Sequence, residues 1–252
     1  MRIVVIGGTG LIGSKVVSLL TEHGHEAVPA SPNSGVNTVT GEGVKEVLQG
    51  ADVVVDVSNS PSFADDDVMA FFRAATTNLT EAAKGAGVGH YVALSVIGSD
   101  RLPDSGYLRA KVAQEKLIKD SGLPYSIVRA TQFFEFASAI ADSATEGTTV
   151  KLPDAGIQPI AAGEVSGKVA KVAAGAPING LTEIAGPEVF TMAGWIQEAL
   201  TFREDPRQVV TDPEARYFGE KPGPKGLLPG EGAELAKVKF ADWLPANPPV
   251  EE

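Results

Sequence analysis

The amino-acid sequence predicts an α/β protein with a doubly wound parallel sheet and a small C-terminal α/β cap. Short apolar runs alternate with amphipathic segments through the first half of the 252-residue chain. A glycine-rich turn, GGTGLIG at residues 7–13, follows the first apolar run directly and precedes the first amphipathic segment. Strands that alternate with helices are connected by right-handed crossovers, which place helices on both faces of a parallel sheet.

The first half of the chain contains a regular series of predicted strands and helices. The apolar run RIVVIG, residues 2–7, is typical of a strand that is buried on both faces. The spacing of apolar residues in 11–24 predicts a helix that ends at Gly24. The later segments, in chain order, are a strand (25–31), a short helix (41–50), a strand (51–58), a long helix (63–87), a strand (90–98), a helix (107–122) and a strand (124–130).

The second half of the chain is less regular. Its predicted segments are a helix (164–175), a strand (181–186), a helix (191–202), a strand (207–212), a loop rich in glycine and proline (218–232) and a closing helix (233–244). We therefore divide the chain into a core, residues 1–132, and a C-terminal cap, residues 133–252. The cap is expected to pack over the rim of the sheet as part of one compact unit.

The composition excludes several classes of function. Acidic residues outnumber basic residues, 32 to 21, and the formal net charge is −11. Because nucleic-acid binding needs clustered lysine and arginine, we expect no nucleic-acid partner. The chain has no cysteine, which excludes disulfides, thiolate metal sites and a cysteine nucleophile. Its three histidines lack metal-ligand spacing, so we expect no metal site.

The sequence shows no sign of a membrane segment. No apolar run approaches the roughly 20 residues of a membrane helix, and the run at residues 3–6 is too short for the core of a signal peptide. We therefore expect a cytoplasmic protein that acts on a small-molecule substrate and has no membrane partner. The sequence leaves open whether the chain forms a homo-oligomer.

The glycine-rich turn has the residues that a phosphate-binding turn needs. Gly7 permits a tight turn at the end of the strand, Gly10 lets the backbone approach a pyrophosphate, and Gly13 lets the helix pack close to the sheet. The free amides and the positive dipole end of the helix N-terminus attract phosphate. We expect a dinucleotide to bind along this stretch, at Gly7, Thr9, Gly10, Leu11, Ile12 and Gly13.

A nucleoside-triphosphate loop is the obvious competitor for the same stretch. In that loop a lysine reaches the phosphates and the following hydroxyl residue binds magnesium. Here Ser14 precedes Lys15, so the order is reversed and we reject this interpretation.

Polar residues follow several of the other predicted strands. The carboxyl ends of parallel strands meet at one edge of the sheet, and ligands bind there. We expect additional cofactor contacts from Ser31, Asn33, Ser34, Ser58, Asn59, Ser60, Ala130 and Thr131. Gln132 and Phe133 follow the last regular strand and are expected to line the substrate pocket.

The end of the second strand determines the choice of dinucleotide. A carboxylate there binds the free ribose 2′-hydroxyl of NAD, whereas a basic residue accommodates the 2′-phosphate of NADP. This chain has neither, and it offers Ser31, Asn33 and Ser34. Because the repelling carboxylate is missing, we expect NADP, with NAD as the alternative.

Two motifs carry a resemblance to a known family. GGTGLIG, together with YLRAK at residues 107–111, resembles the short-chain dehydrogenase/reductase superfamily in its extended and atypical branches. The segments HYVALSVIGSDRLPDSGYLRAKVAQEKL and GLPYSIVRATQFFEF look most like the NmrA-like NAD(P)-binding branch. The resemblance covers roughly residues 1–140 and implies a Rossmann-like core that binds NAD(P).

The resemblance also implies a catalytic triad. In that family a Tyr-x-x-x-Lys pair on a helix and a serine at a strand end perform carbonyl chemistry, and the matching residues are Ser95, Tyr107 and Lys111. Residues four apart share a helix face. The ammonium of Lys111 is expected to bind the cofactor ribose and to lower the tyrosine pKa from about 10 toward working pH. Tyr107 would then donate a proton to a carbonyl oxygen that Ser95 holds.

These observations predict an NADP(H)-dependent reductase or dehydrogenase that acts on a small carbonyl or quinone-like substrate. Two alternatives remain open from the sequence. One is a non-catalytic NAD(P) redox sensor that regulates a partner protein, and the other is an epimerase or dehydratase that uses the same triad.

Overall fold

The computed structural model describes residues 1–248 of the chain. Its strands are β1 (Arg2–Ile6), β2 (Glu26–Ala30), β3 (Val53–Asp56), β4 (His90–Val96), β5 (Tyr125–Ala130), β6 (Thr145–Glu146), β7 (Thr149–Leu152), β8 (Gly156–Ile157), β9 (Gly180–Ala185), β10 (Phe190–Thr191), β11 (Gln208–Thr211) and β12 (Glu234–Leu235). Its α-helices are α1 (Leu11–Glu22), α2 (Val44–Val47), α3 (Asp65–Ala86), α4 (Gly106–Asp120), α5 (Ala137–Ser143), α6 (Ala162–Ala173), α7 (Met192–Phe202) and α8 (Phe240–Ala246).

The centre of the protein is a parallel sheet with helices on both faces. Within residues 1–248 this sheet has seven strands in the order β12-β9-β5-β4-β3-β1-β2, and each neighbouring pair is parallel. The chain runs outward from β1 to β2 and then continues on the other side from β3. Ligands bind at such a reversal of strand order, outside the carboxyl ends of the strands. The predicted doubly wound, Rossmann-like fold is confirmed.

The apolar strands are buried on both faces because their side chains alternate. In β1, Ile3 and Val5 pack in the cluster that α1 and α6 cover, whereas Val4 and Ile6 pack in the cluster under α2 and α3. All four side chains are at most 3% exposed. Burial of an aliphatic side chain of this size contributes about 1.5–3 kcal/mol relative to exposure, so the short strands of the sheet are held mainly by their two apolar faces.

The chain after residue 132 contributes to both the central sheet and the cap. From here on, the name cap refers to the elements of residues 133–252 that lie outside the central sheet and its covering helices. Strands β9 and β12 extend the sheet beyond β5, and α6 packs against α1. The cap contains a sheet of β6, β7 and β11 and the antiparallel pair β8 and β10. Its helices α5, α7 and α8 pack around a buried aromatic cluster that includes Trp195, Phe240 and Trp243.

The predicted closing helix over residues 233–244 is wrong in its first half. Glu234 and Leu235 form β12, which pairs in parallel with Ile184 and Ala185 of β9. Helix α8 begins only at Phe240. The open edge of β9 offers unpaired backbone groups, and pairing with them overrides the helical tendency of a short segment.

Helix α3 is the longest helix of the described chain, with 22 residues. Its first turn contains Asp65, Asp66 and Asp67, whose charges suit the positive end of the helix dipole. Neither α3 nor any other helix within residues 1–248 combines the length and the apolar character that crossing a bilayer demands.

Candidate functional site

The glycine-rich turn joins β1 to α1 and is tightly constrained. Gly7 has a φ of +77°, a conformation that a side chain disfavours, and its amide donates to the Ala30 carbonyl at 2.9 Å. A Cβ on Gly13 would lie 2.1 Å from the Gly7 carbonyl oxygen, so only glycine allows α1 to start this close to the turn. Gly10 caps α1 without a side-chain hydrogen bond and leaves the first amides of the helix open.

A cleft of about 1390 Å³ opens beside this turn, at the carboxyl ends of β1 to β5 and below the cap. Most of the residues that the sequence indicated lie on its wall. They are Gly7, Thr9, Gly10, Leu11, Ile12, Gly13, Ser31, Ser58, Asn59, Ser95, Tyr107, Lys111, Ala130, Thr131, Gln132 and Phe133. The cap contributes Ile140, Lys151 and Leu227 to the same wall.

Three of the expected cofactor contacts do not line the cleft: Asn33, Ser34 and Ser60. The hydroxyl of Ser34 is used locally, because it accepts from the Ser31 amide and donates to the Ser31 carbonyl, both at 2.9 Å. Asn33 lies exposed in the same 3₁₀ turn, Pro32–Ser34. Ser60 is buried, and its hydroxyl accepts from the Ser62 amide at 3.3 Å.

Tyr107 lies in the first turn of α4 and belongs to an aromatic cluster at the mouth of the cleft. Its ring is stacked on Phe218 at 5.5 Å between centroids and lies at the same distance from Phe63. Burial raises the pKa of Tyr107 to about 12. The expected lowering of this pKa by Lys111 is therefore wrong for this structure, because loss of solvent around the phenol dominates. Tyr107 remains a protonated phenol at neutral pH.

Phe218 reaches the cleft from a tight turn in the C-terminal half. The Tyr217 amide donates to the Glu220 carbonyl at 2.8 Å, and the Glu220 amide donates back at 3.1 Å. Phe218 itself has a φ of +49°, which is strained for an aromatic residue. The buried Glu220 carboxylate accepts from the Asp104 amide at 2.8 Å, so the turn is fastened to the loop that leads into α4.

Lys111 is buried on the cleft wall, one turn along α4 from Tyr107. Its ammonium donates to the Leu94 carbonyl at 2.9 Å and to the side-chain oxygen of Gln114. The nitrogen also lies 4.3 Å from the centre of the Phe72 ring. Burial lowers the pKa of Lys111 to about 8, although the nearby carboxylates of Asp56 and Glu115 oppose this shift.

Ser95 lines the cleft, but its hydroxyl is already used. It donates to Glu115 Oε1 at 2.7 Å, and the Glu115 carboxylate also accepts from Arg129 Nε and Nη2, each at 2.8 Å. A serine hydroxyl has a single proton to donate. In this structure the Ser95 hydroxyl is therefore bound to the carboxylate of the buried Glu115–Arg129 ion pair, and it does not present the free donor to a substrate oxygen that the triad would require.

Comparison with protein families identifies the core. Residues 7–151 match the family model described as NAD(P)H-binding, which is more than half of the chain. The chain belongs to the NAD(P)H-binding family. The match includes the glycine-rich turn and the helix that carries Tyr107 and Lys111, whereas Phe218 and Leu227 of the cleft wall lie outside it.

Individual relatives of this NAD(P)H-binding chain are distant. It is 26% identical over 149 residues to the photosystem II assembly factor Ycf39 of Cyanophora paradoxa, which is 54% of this chain and 46% of the relative. The chain spans less than half the length of the curated relatives that it matches.

Two solved structures show the same fold. An NADPH-dependent quinone oxidoreductase of Escherichia coli, solved with NADPH, is 22% identical with a TM-score of 0.66, over 84% of this chain and 78% of that chain. A dTDP-4-dehydrorhamnose reductase of Bacillus anthracis, solved with NADP, is 14% identical with a TM-score of 0.70, over 96% and 92%. The chain thus has a Rossmann fold, and the prediction of the NmrA-like branch stays a prediction.

The cleft has the polar groups that a dinucleotide needs. Within residues 1–248, Ser31 Oγ, Thr131 Oγ1 and Gln132 Oε1 are buried without a hydrogen-bond partner, and all three residues line the cleft. Buried polar atoms are almost always paired, so these three atoms can take hydrogen-bond partners from a ligand bound in the cleft. Together with the open amides of α1, they fit NAD(P)H.

Sequence reasoning missed one buried residue that supports the site, Asp56, whereas Asn78 of α3 was already a candidate for a supporting role. Asp56, at the end of β3, accepts at Oδ1 from the Ser58 hydroxyl at 2.6 Å and at Oδ2 from the Tyr91 hydroxyl at 3.1 Å. The side-chain nitrogen of Asn78 donates to the carbonyls of Thr38 and Val39, which lie on the cleft wall beyond Ser31. No motif marks Asp56, because its partners Tyr91 and Gln114 are distant in the chain.

Proposed function

We propose that the protein is an NAD(P)H-dependent reductase of a planar carbonyl or quinone-like substrate. The observation that carries the proposal is that Tyr107 and Lys111 line the same cleft as the glycine-rich turn. NAD(P)H, when bound, supplies a hydride. One hydride and one proton convert a carbonyl to an alcohol, or a quinone to a hydroquinone. Tyr107, protonated at neutral pH, is the proton donor in this proposal, and Lys111 binds the ribose.

The aromatic residues at the mouth of the cleft favour a planar substrate. Phe63, Phe136 and Phe218 are each more than 40% exposed and belong to separate segments, yet all three line this cleft. Aromatic rings bind other rings by offset or edge-to-face packing, which supports selection of a planar ring over a short aliphatic carbonyl. NADPH is our preferred cofactor, since none of the acidic residues among residues 1–248 lines the cleft beside Ser31.

A substitution of Tyr107 tests the proposal. The wild-type protein should oxidise NADPH with at least one member of a panel of quinones and aromatic ketones. The decrease in NADPH absorbance measures this turnover. Tyr107→Phe should lower kcat by about 10²–10⁴-fold while the Kd for NADPH stays within about twofold, because only the proton donor is removed. Turnover that survives Tyr107→Phe unchanged refutes the role of Tyr107. Tyr125→Phe, at the opposite end of the sheet, is the matched control.

A redox sensor is the second candidate, and the position of Ser95 favours it. Its hydroxyl is held by Glu115 and is not free to bind a substrate oxygen. The curated relative from Cyanophora paradoxa is an assembly factor, which is consistent with a non-catalytic role in this family. Tight binding of NADPH and NADP with different affinities, no turnover on the full panel, and a protein partner that co-purifies would support the sensor over the reductase.

A further inference from the structure

A continuous chain of buried hydrogen bonds joins Asp56 to Lys111. The side-chain nitrogen of Gln114 donates to Asp56 Oδ2 at 3.0 Å, and the Lys111 ammonium donates to the side-chain oxygen of Gln114. These three side chains are at most 3% exposed. Ser58 extends the chain to the cleft wall, because its amide and hydroxyl both donate to Asp56 Oδ1.

The direction of the Gln114 amide follows from its two neighbours. A carboxylate only accepts hydrogen bonds and an ammonium only donates them. The amide nitrogen must therefore face Asp56, and the amide oxygen must face Lys111. A flipped amide would leave two buried donors opposite each other and an oxygen opposite a carboxylate, which is strongly unfavourable in a buried site.

Asp56 is the carboxylate that balances the charge of Lys111. The ionisable groups around Lys111 are Asp56 from β3, Tyr91 from β4, and Tyr107 and Glu115 from α4. Tyr91 is a neutral phenol that donates to Asp56, and Glu115 is occupied by Arg129. Within residues 1–248, Asp56 forms no direct ion pair, so its charge is available to Lys111 through Gln114.

We propose that Gln114 and Asp56 are positioning residues for Lys111. Asp56 fixes the Gln114 amide, and Gln114 holds the charged ammonium at the cleft wall, beside the Leu94 carbonyl of β4. The same carboxylate holds the Ser58 loop, so one buried group organises two parts of the wall. This inference rests on the proposed function only in its last step, that the positioned ammonium binds the cofactor ribose.

The test measures the protonation of Lys111 directly in the protein without cofactor. Nuclear magnetic resonance of lysine labelled with carbon-13 at Cε follows each lysine against pH, and Lys111→Arg identifies the Lys111 signal. Gln114→Met removes the amide oxygen at similar volume and should lower the Lys111 midpoint by about one pH unit. Gln114→Glu places a carboxylate at the same position and should raise the midpoint above that of the wild type.

Gln158→Met is the matched control, because Gln158 is also a buried glutamine but donates to the Gly186 carbonyl in the cap region. It should leave the Lys111 midpoint unchanged. An unchanged midpoint in folded Gln114→Met overturns the proposal. Should Gln114→Met fail to fold, Gln114→Glu decides, and a midpoint equal to that of the wild type overturns the proposal equally.

Binding of NADPH against pH separates this inference from the proposed function. If the ammonium binds the ribose, NADPH affinity falls as pH rises through the Lys111 midpoint, since Lys111 loses its charge. In Gln114→Met the fall in NADPH affinity should occur at lower pH. Its displacement should equal the change in the Lys111 midpoint that nuclear magnetic resonance measures. A midpoint that moves without any change in NADPH binding supports the positioning role and refutes the role of Lys111 at the cofactor.

Discussion

At the scale of single residues, Ser31 has the most direct bearing on cofactor choice. It follows β2, it lines the cleft, and within residues 1–248 its buried hydroxyl has no partner. Its neighbours Asn33 and Ser34 do not line the cleft. The proposed preference for NADP therefore depends on Ser31 and on the polar residues Asn37 and Thr38 beyond it.

A carboxylate at position 31 should reverse this preference. Ser31→Asp would repel a ribose 2′-phosphate and accept a hydrogen bond from a free 2′-hydroxyl. We expect the ratio of NADPH affinity to NADH affinity to fall by about tenfold or more, measured by fluorescence titration. Gln49→Glu adds the same charge on the exposed surface and serves as the control. Equal changes in the two affinities would show that Ser31 lies away from the 2′-position.

At the scale of elements, the packing of α1 against the glycine-rich turn controls the site. The helix can begin at Leu11 only because Gly13 brings no side chain against Gly7 and Gly8. The open amides at the helix N-terminus point into the cleft as a consequence, and they need no charged side chain to attract a phosphate.

Gly13→Ala tests this dependence on close packing. Its Cβ would lie 2.1 Å from the Gly7 carbonyl oxygen and 2.7 Å from Gly8 Cα, so the backbone must move. We expect the unfolding free energy, measured by urea denaturation, to fall by about 1–3 kcal/mol. The affinity for NADPH should fall by about tenfold or more.

The matched control for Gly13→Ala is Gly167→Ala in α6, where an added Cβ meets no atom within 4 Å. This variant should keep its NADPH affinity and gain about 0.5–1 kcal/mol, because alanine favours a helix over glycine. Normal NADPH binding by Gly13→Ala would contradict the role of the turn.

At the scale of the whole molecule, one buried ion pair ties helix α4 to the central strands β4 and β5. Arg129 of β5 donates to Glu115 of α4, and Glu115 accepts from Ser95 of β4. Arg129 also reaches Asp100, in the loop between β4 and α4, at 2.9 Å. Arg129 and Glu115 are both less than 10% exposed, so each charge depends on the other.

Removing the buried negative charge should destabilise the fold. Glu115→Gln keeps the side-chain shape but leaves the Arg129 charge partly uncompensated, and we expect a loss of about 3 kcal/mol in unfolding free energy. Asp120→Asn breaks the exposed Lys116–Asp120 pair on the same helix and should cost less than about 1 kcal/mol. Equal losses in the two variants, measured by urea denaturation, would contradict this difference between buried and exposed pairs.

The sequence anticipated the core better than the cap for a physical reason. In the core, short but continuous apolar strands alternate with amphipathic helices, and each pattern is set by local burial. In the cap, β6, β8 and β10 are only two residues long, so they leave no periodic pattern. Residues 234–235 became a strand only because an open edge of β9 lies beside them.

The sequence by itself determined the parallel sheet, the glycine-rich turn and the placement of Tyr107 and Lys111 on one helix face. These features depend on continuous apolar runs for the strands, on the period of about 3.6 residues for the helices, and on glycine geometry. All three act between residues that are near neighbours in the chain. Only the tertiary structure decided that Ser95 binds Glu115, that Asp56 reaches Lys111 through Gln114, and that Phe218 covers Tyr107. Buried polar groups take whichever partner the fold brings within hydrogen-bond distance, and that choice depends on contacts between distant segments of the chain.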